Sequence, residues 1–144
     1  MAATSVAAIG ALAAFAFCLV GCGTMPAAQR GVAQASDASG TLQVESVRLS
    51  AAGNYVDVRY RVLDSVRATQ ALGPKVRPRL LDEASGLEMG VPTTAKLGSL
   101  RQTQGQQRTG RTYFILFVNS ARVGTGSSVT VALGDLRIAH LKVQ

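Results

Sequence analysis

Beyond its first 22 residues the chain has no cysteine, because its two, Cys18 and Cys22, both fall in the apolar N-terminal stretch. A disulfide framework and a cysteine metal site are therefore excluded from the later chain, since each needs further thiols or histidines at suitable spacing. Histidine is scarce as well. His140 stands alone near the end of the last expected strand, and no G-x-S-x-G elbow surrounds any serine, so nucleophilic catalysis has one poorly placed base and no nucleophile motif. Phosphate-binding glycine loops that link a strand to a helix are also missing, and "GTGSS" at 124–128 reads as a turn. A copper site would have only Met25, Met89 and His140 to draw on, so the expectation is no metal and no cofactor apart from a covalent lipid discussed below. Acidic residues number 8 against 15 Lys and Arg. Most stand at turns (Asp82, Glu83) or beside arginines (Asp57 with Arg59 and Arg61), where a surface ion pair or a capped turn is the simpler role than acid–base work.

Charge of either sign is absent before Arg30. This divides the chain into an uncharged leader and a basic remainder that carries the whole net charge of +7. Within the leader, Val6–Val20 is continuously apolar, shorter than a full span of about 20 residues and suited to the core of an export signal. With the flanking alanines and Gly21 it is also just long enough for an uncleaved anchor helix in a thinned bilayer.

The stretch closes on Leu19-Val20-Gly21-Cys22. This tetrapeptide resembles the lipobox of bacterial lipoproteins, with a leucine three residues before the cysteine and a small residue just ahead of it. The resemblance implies a signal peptide over 1–21, cleavage before Cys22, a diacylglyceryl group on its sulfur and acylation of the new amino group. Two or three chains hold a protein stably at a membrane where one does so only marginally. Gly23 stands where an Asp would act as an inner-membrane retention signal, which implies outer-membrane sorting and a domain facing the periplasm. Residues 22–40 follow as the lipidated cysteine and a Gly-, Ala-, Ser- and Gln-rich tether.

The remainder, 41–144, reads as one all-β domain. In "YVDVRYRV", Val56, Val58, Tyr60 and Val62 alternate with Tyr55, Asp57, Arg59 and Arg61, the mark of a half-buried strand. Leu42 and Val44 alternate, then Val47 and Leu49 continue out of phase, so a β-bulge near Glu45 and Ser46 is expected, with a hairpin turn at "SAAGN" where Gly53 and Asn54 tolerate positive φ. Asp64 or Ser65 caps a short helix that stops at Gly73-Pro74. Two further strands flank the turn Asp82–Gly86, with Pro78 confining the first to an edge or bulge and Leu87, Met89 and Val91 facing one way. A polar loop spans 92–110, "RTYFILFVN" suggests a central strand covered on both sides, and Val129–Leu133 and Leu141–Val143 supply the last two. About seven strands, one short helix and no βα alternation point to an immunoglobulin-like antiparallel β-sandwich. "VDVRYRVLD", "GRTYFILFVN" and "GDLRIAHLKV" are also similar to small envelope sandwich proteins, a resemblance that implies no activity.

The positive signal for function is charge. Arg59, Arg61, Lys75, Arg77 and Arg79 lie on adjacent expected segments, and Arg101, Arg108 and Arg111 populate the loop. If the strands neighbour one another, these eight make a surface for an anionic envelope partner such as a headgroup or an acidic protein. Tyr55 is the lone aromatic alternating with those arginines, so nucleic acid is not the expected partner. The reading is a non-catalytic binding or structural lipoprotein. Its alternatives are an enzyme or small-ligand carrier subunit, which would need a concave polar site or an apolar cavity between the sheets.

Overall fold

The computed structural model describes residues 35–102 and 106–144, and the signal, the lipobox and residues 22–34 lie outside them. In chain order the elements are β1 (Ala35–Ser36), β2 (Leu42–Ser50), β3 (Tyr55–Val62), α1 (Ser65–Ala71), β4 (Arg79–Asp82), β5 (Glu88–Gly90), β6 (Thr93–Thr94), β7 (Gly98–Ser99), β8 (Thr112–Val118), β9 (Ser128–Leu133) and β10 (Leu136–Lys142). They form a sandwich of two antiparallel sheets, ordered β1-β2-β3-β8 and β10-β9-β4-β5, with β6 and β7 as a separate ribbon. The chain changes sheet three times, between β3 and β4, between β5 and β8 through the β6–β7 ribbon, and between β8 and β9. Because β8 pairs with β3 while β9 pairs with β4, the two sheets of the sandwich interlock.

The alternating residues form the core. Val56, Val58, Tyr60 and Val62 of β3, Ile115 and Phe117 of β8 and Val129, Val131 and Leu133 of β9 are all 0–1% exposed, with Leu80 and Met89 from the facing sheet. Each such side chain contributes roughly 1.5–3 kcal/mol by leaving water. The phase change in β2 is the expected bulge: Val44 pairs with Tyr60 and Ser46 with Arg59, leaving Glu45 as the extra residue and returning Val47, opposite Val58, to the core.

The turn after β2 differs from the sequence expectation. Positive φ falls on Ala51 (48°), Ala52 (55°) and Gly53 (85°) rather than on Asn54, whose side-chain amide instead donates to the Ala51 carbonyl at 2.8 Å. Strand pairing from Ser50 to Tyr55 fixes the path, so two alanines take a conformation that their Cβ atoms disfavour. Helix α1 begins as expected, with the Asp64 carboxylate accepting from the Val66 and Arg67 amides at 2.9 and 3.2 Å.

Three other expectations are corrected. The domain starts before residue 41: Ala35 pairs with Val44, and the buried Asp37 carboxylate accepts the Thr41 and Leu42 amides at 2.8 and 2.6 Å and the Ser39 amide and hydroxyl, so 35–40 belong to the fold rather than to the tether. Burial pushes this carboxyl up, yet the Ser39 hydroxyl and the three amides together hold it below the usual carboxylate range. β8 is an edge strand, not a central one. Its outer residues Phe114 and Val118 are 38% and 39% exposed, and apolar residues on both faces reflect a partly covered edge, as described below. Leu87, grouped with Met89 and Val91, is 54% exposed because it sits in the β4–β5 turn rather than in a strand.

Candidate functional site

The chain between α1 and β4 builds one wall of a cleft. Leu72 ends the helix, the Val76 amide donates back to the Gly73 carbonyl at 3.0 Å, and Pro74 and Pro78 contribute no amide hydrogen. Carbonyls in this segment thus outnumber local donors. The opposite wall comes from Gly90 and Val91 at the end of β5 and from Thr93 and Ser99 of the ribbon. Leu100–Gln102 then run beside the free edge of β8: Leu116 N donates to Leu100 O at 3.1 Å and Gln102 N to Phe114 O at 3.0 Å, with Arg101 bridged to Ile115. This pairing covers the β8 edge, which would otherwise offer unpaired amides and carbonyls.

Arg101 closes the structure. Its guanidinium donates to the carbonyls of Val76 (2.8 Å), Pro74 (3.3 Å) and Gly73 (3.5 Å), the last of which also accepts from Val76 N, and so ties the loop segment to this wall. The open cleft between the walls has a volume of about 450 Å³ and is lined by Arg77, Arg79 and Arg101, the hydroxyl residues Thr93 and Ser99, and the apolar Pro74, Val76, Pro78 and Val91. Arg79 reaches both oxygens of Glu88 at 3.2 Å, an exposed pair of small energetic value. Arg77 and neighbouring Lys75 are exposed and have no hydrogen-bond or ion-pair partner among the described residues. A concave site with this excess of cations suits an anion.

The eight cations expected to share one surface are divided by the fold. Lys75, Arg77, Arg79 and Arg101 gather at the cleft. Arg59 and Arg61 lie on the outer face of the other sheet, where Arg59 contacts Asp57 at 3.2 Å and Arg61 contacts Glu45 at 2.7 Å. Asp57 thus plays its expected part for Arg59, while the bulge residue Glu45 takes Arg61 and also accepts from the Thr112 hydroxyl at 3.0 Å. Arg108 and Arg111 stand in the turn before β8, pinned through the backbone: Arg108 N donates to the Tyr113 hydroxyl at 2.9 Å, and Arg111 O accepts from Val62 N at 3.1 Å. The Tyr113 ring stacks on Tyr60 at 5.9 Å, and burial pushes the Tyr60 hydroxyl far above its ordinary value.

No protein-family model, curated protein or solved structure matches the chain. Its reading therefore rests on the residues themselves. Among the described residues no group of three or more His, Cys, Asp or Glu side chains could hold a metal, and no helix is long and apolar enough to cross a membrane.

His140 lies on β10, and its side chain is 87% exposed. Its backbone is unusual: φ is 59° at an irregularity where the pairing of β10 with β9 shifts between Ile138 and Leu141. Glu83 holds that bulge by accepting from His140 N at 2.8 Å and Thr130 Oγ1 at 2.7 Å, with His140 Nδ1 3.1 Å from its other oxygen. The Thr130 hydroxyl and the His140 amide keep the Glu83 carboxyl below its ordinary value. The sequence reading placed Glu83 in a turn and missed this bracing role, because the contact spans 57 residues. It also missed Glu88, Thr93 and Ser99 at the cleft. A signal for Glu88 existed, since counting outward from the Asp82–Gly86 turn puts Arg79 opposite Gly90 and Leu81 opposite Glu88, one diagonal step from Arg79.

Proposed function

We propose that this chain is a cell-envelope lipoprotein, acylated on Cys22, whose β-sandwich is a non-catalytic binding module for an anionic partner. The observation that carries the binding half is Arg77: an arginine without a counter-charge, beside Arg79 and Arg101, in a cleft whose remaining lining is hydroxyl and apolar. Arginine forks match the oxygens of phosphate and carboxylate groups, and a partly enclosed site strengthens each contact over its value in open water. The lining cations and hydroxyls supply donors for recognition, and among the described residues that line the cleft there is no carboxylate, imidazole or thiol.

The anchor half is supported by Val6–Val20 followed by Leu19-Val20-Gly21-Cys22. Residues 23–34 would let the domain stand at most about 40 Å from the lipid, within reach of envelope anions at the same membrane. The position of Gly23 favours the outer membrane, with the domain in the periplasm.

The test is the intact mass of the protein extracted from membranes, for wild type and Cys22→Ala. A wild-type chain that begins at Cys22 and carries a diacylglyceryl group, with cleavage and lipid both lost in the variant, supports the anchor. A chain that retains Met1 without lipid replaces it with an uncleaved N-terminal anchor helix. Retention of the detergent-solubilised protein on a polyanionic resin, weakened in Arg77→Ala and unchanged in Arg59→Ala, tests the binding half.

A further inference from the structure

We infer that the cleft between residues 74–79 and 90–101 recognises a phosphomonoester carried on a ring-sized body. This deepens the anionic-partner reading and rests on it. The first argument is charge. Arg77, Arg79 and Arg101 line one cavity with Lys75 beside it, and Glu88 compensates only Arg79. A single carboxylate leaves most of that excess in place, whereas a phosphomonoester brings about two negative charges and three acceptor oxygens. The second argument is donor supply. Among the described residues neither the Arg77 guanidinium nor the Thr93 and Ser99 hydroxyls make a hydrogen bond, so donors of two kinds suited to tetrahedral oxygens line one cleft.

The third argument is volume and lining. About 450 Å³ is far more than inorganic phosphate fills and lies within the range of small-molecule sites. Pro74, Val76, Pro78 and Val91 supply hydrocarbon walls beside the cations. A ligand that satisfies both parts has a phosphate on a compact body with apolar faces, either a free sugar or aryl phosphate or the phosphorylated headgroup of a glycolipid. The exposed Glu88–Arg79 pair yields readily to such a ligand, because a surface ion pair is worth little and the incoming dianion replaces its charge. Arg101 acts differently. Its three carbonyl contacts make it a positioning residue that holds the two walls at their spacing.

The experiment titrates the full chain, purified in detergent, with phenyl phosphate, benzoate and inorganic phosphate at fixed ionic strength. Heat and amide NMR shifts report binding. The expected result is saturable binding of phenyl phosphate, at least about tenfold tighter than benzoate or inorganic phosphate, with Arg77→Ala weakening it about tenfold and Arg59→Ala leaving it unchanged. Arg77 has no structural partner, so its variant folds, and an unaltered spectrum outside the cleft verifies this. Equal affinity for benzoate and phenyl phosphate, or full affinity in Arg77→Ala, overturns the inference. If phenyl phosphate does not bind while a polyglutamate resin still retains the chain through Arg77, the phosphate assignment fails and the broader anionic reading stands. If neither binds, both fail. A hexose phosphate compared with micelles of a phosphorylated glycolipid separates the sources: equal affinity assigns a soluble ligand, and a preference of tenfold or more for the micelle assigns a headgroup.

Discussion

On the outer face of the first sheet, Arg59 meets Asp57 at 3.2 Å and Arg61 meets Glu45 at 2.7 Å, whereas in the cleft Arg77 has no ion-pair or hydrogen-bond partner among the described residues and Arg101 meets three carbonyls. The same residue type thus serves three ends. A strand face holds cations and carboxylates within reach of one another, along one strand for Arg59 and Asp57 and across two strands for Arg61 and Glu45, so their fields largely cancel. An irregular, proline-bearing segment supplies carbonyls without donors, which draw in one guanidinium and leave its neighbours uncompensated. Net charge alone would have ranked all eight cations equally, and it is their company that separates them.

The strongest way to break this contrast is Arg101→Ala. Three carbonyls lose a charged donor and the covering strand over β8 loses its tie, so unfolding free energy should fall by about 2–3 kcal/mol in urea titrations. Arg101→Lys should recover only part of it, since an ammonium cannot span three acceptors in one plane. Next in size is Asp37. Asp37→Ala should cost about 2 kcal/mol by orphaning the Thr41 and Leu42 amides. Because the folded carboxyl titrates below its unfolded value, its contribution is complete above about pH 4 and disappears as pH falls through the depressed value. Asp82 and Glu83, also depressed, add to the same acid loss, so Asp37→Asn should flatten but not abolish the fall in stability below about pH 4.

Smaller effects sharpen the contrast. Ala52→Gly relieves a left-handed alanine in the β2–β3 turn and should raise stability by about 0.5–1 kcal/mol, read as a shift in denaturation midpoint. Glu88→Gln removes the carboxylate that compensates Arg79 at the cleft and should tighten anion binding about two- to threefold with stability unchanged. Least of all, Arg59→Ala on the paired face should move stability by less than about 0.5 kcal/mol and leave anion binding where it was. A larger loss there than at Arg101 would reverse the assignment of roles.

Much of the scaffold was legible because alternation is a local property. Val56 to Val62 announced β3, and the slip between Val44 and Val47 announced the bulge at Glu45, since a one-residue insertion is the simplest way to keep both halves of β2 facing the core. Asp64 and Ser65 both announced the helix start by capping chemistry that needs only the next three residues, and the structure gives the cap to Asp64. Misreadings came where tertiary pairing decided. β8 carries apolar residues on both faces, which resembles a central strand, yet its second neighbour is only the short run Leu100–Gln102. The left-handed pair Ala51-Ala52 follows from the strand register, which composition does not encode.

By itself, the sequence determined the uncharged leader ending in Leu19-Val20-Gly21-Cys22, the all-β character, the bulge, the helix cap and the excess of positive charge, because each depends on neighbours along the chain. Only the tertiary structure decided which cations stand alone. Glu45 is 16 residues from Arg61 in sequence and Arg101 is 25 from Val76, and contacts of that span exist only after the sheets have closed. The cleft is likewise a product of closure: its walls are brought together by an arginine answering carbonyls that two prolines had left without donors.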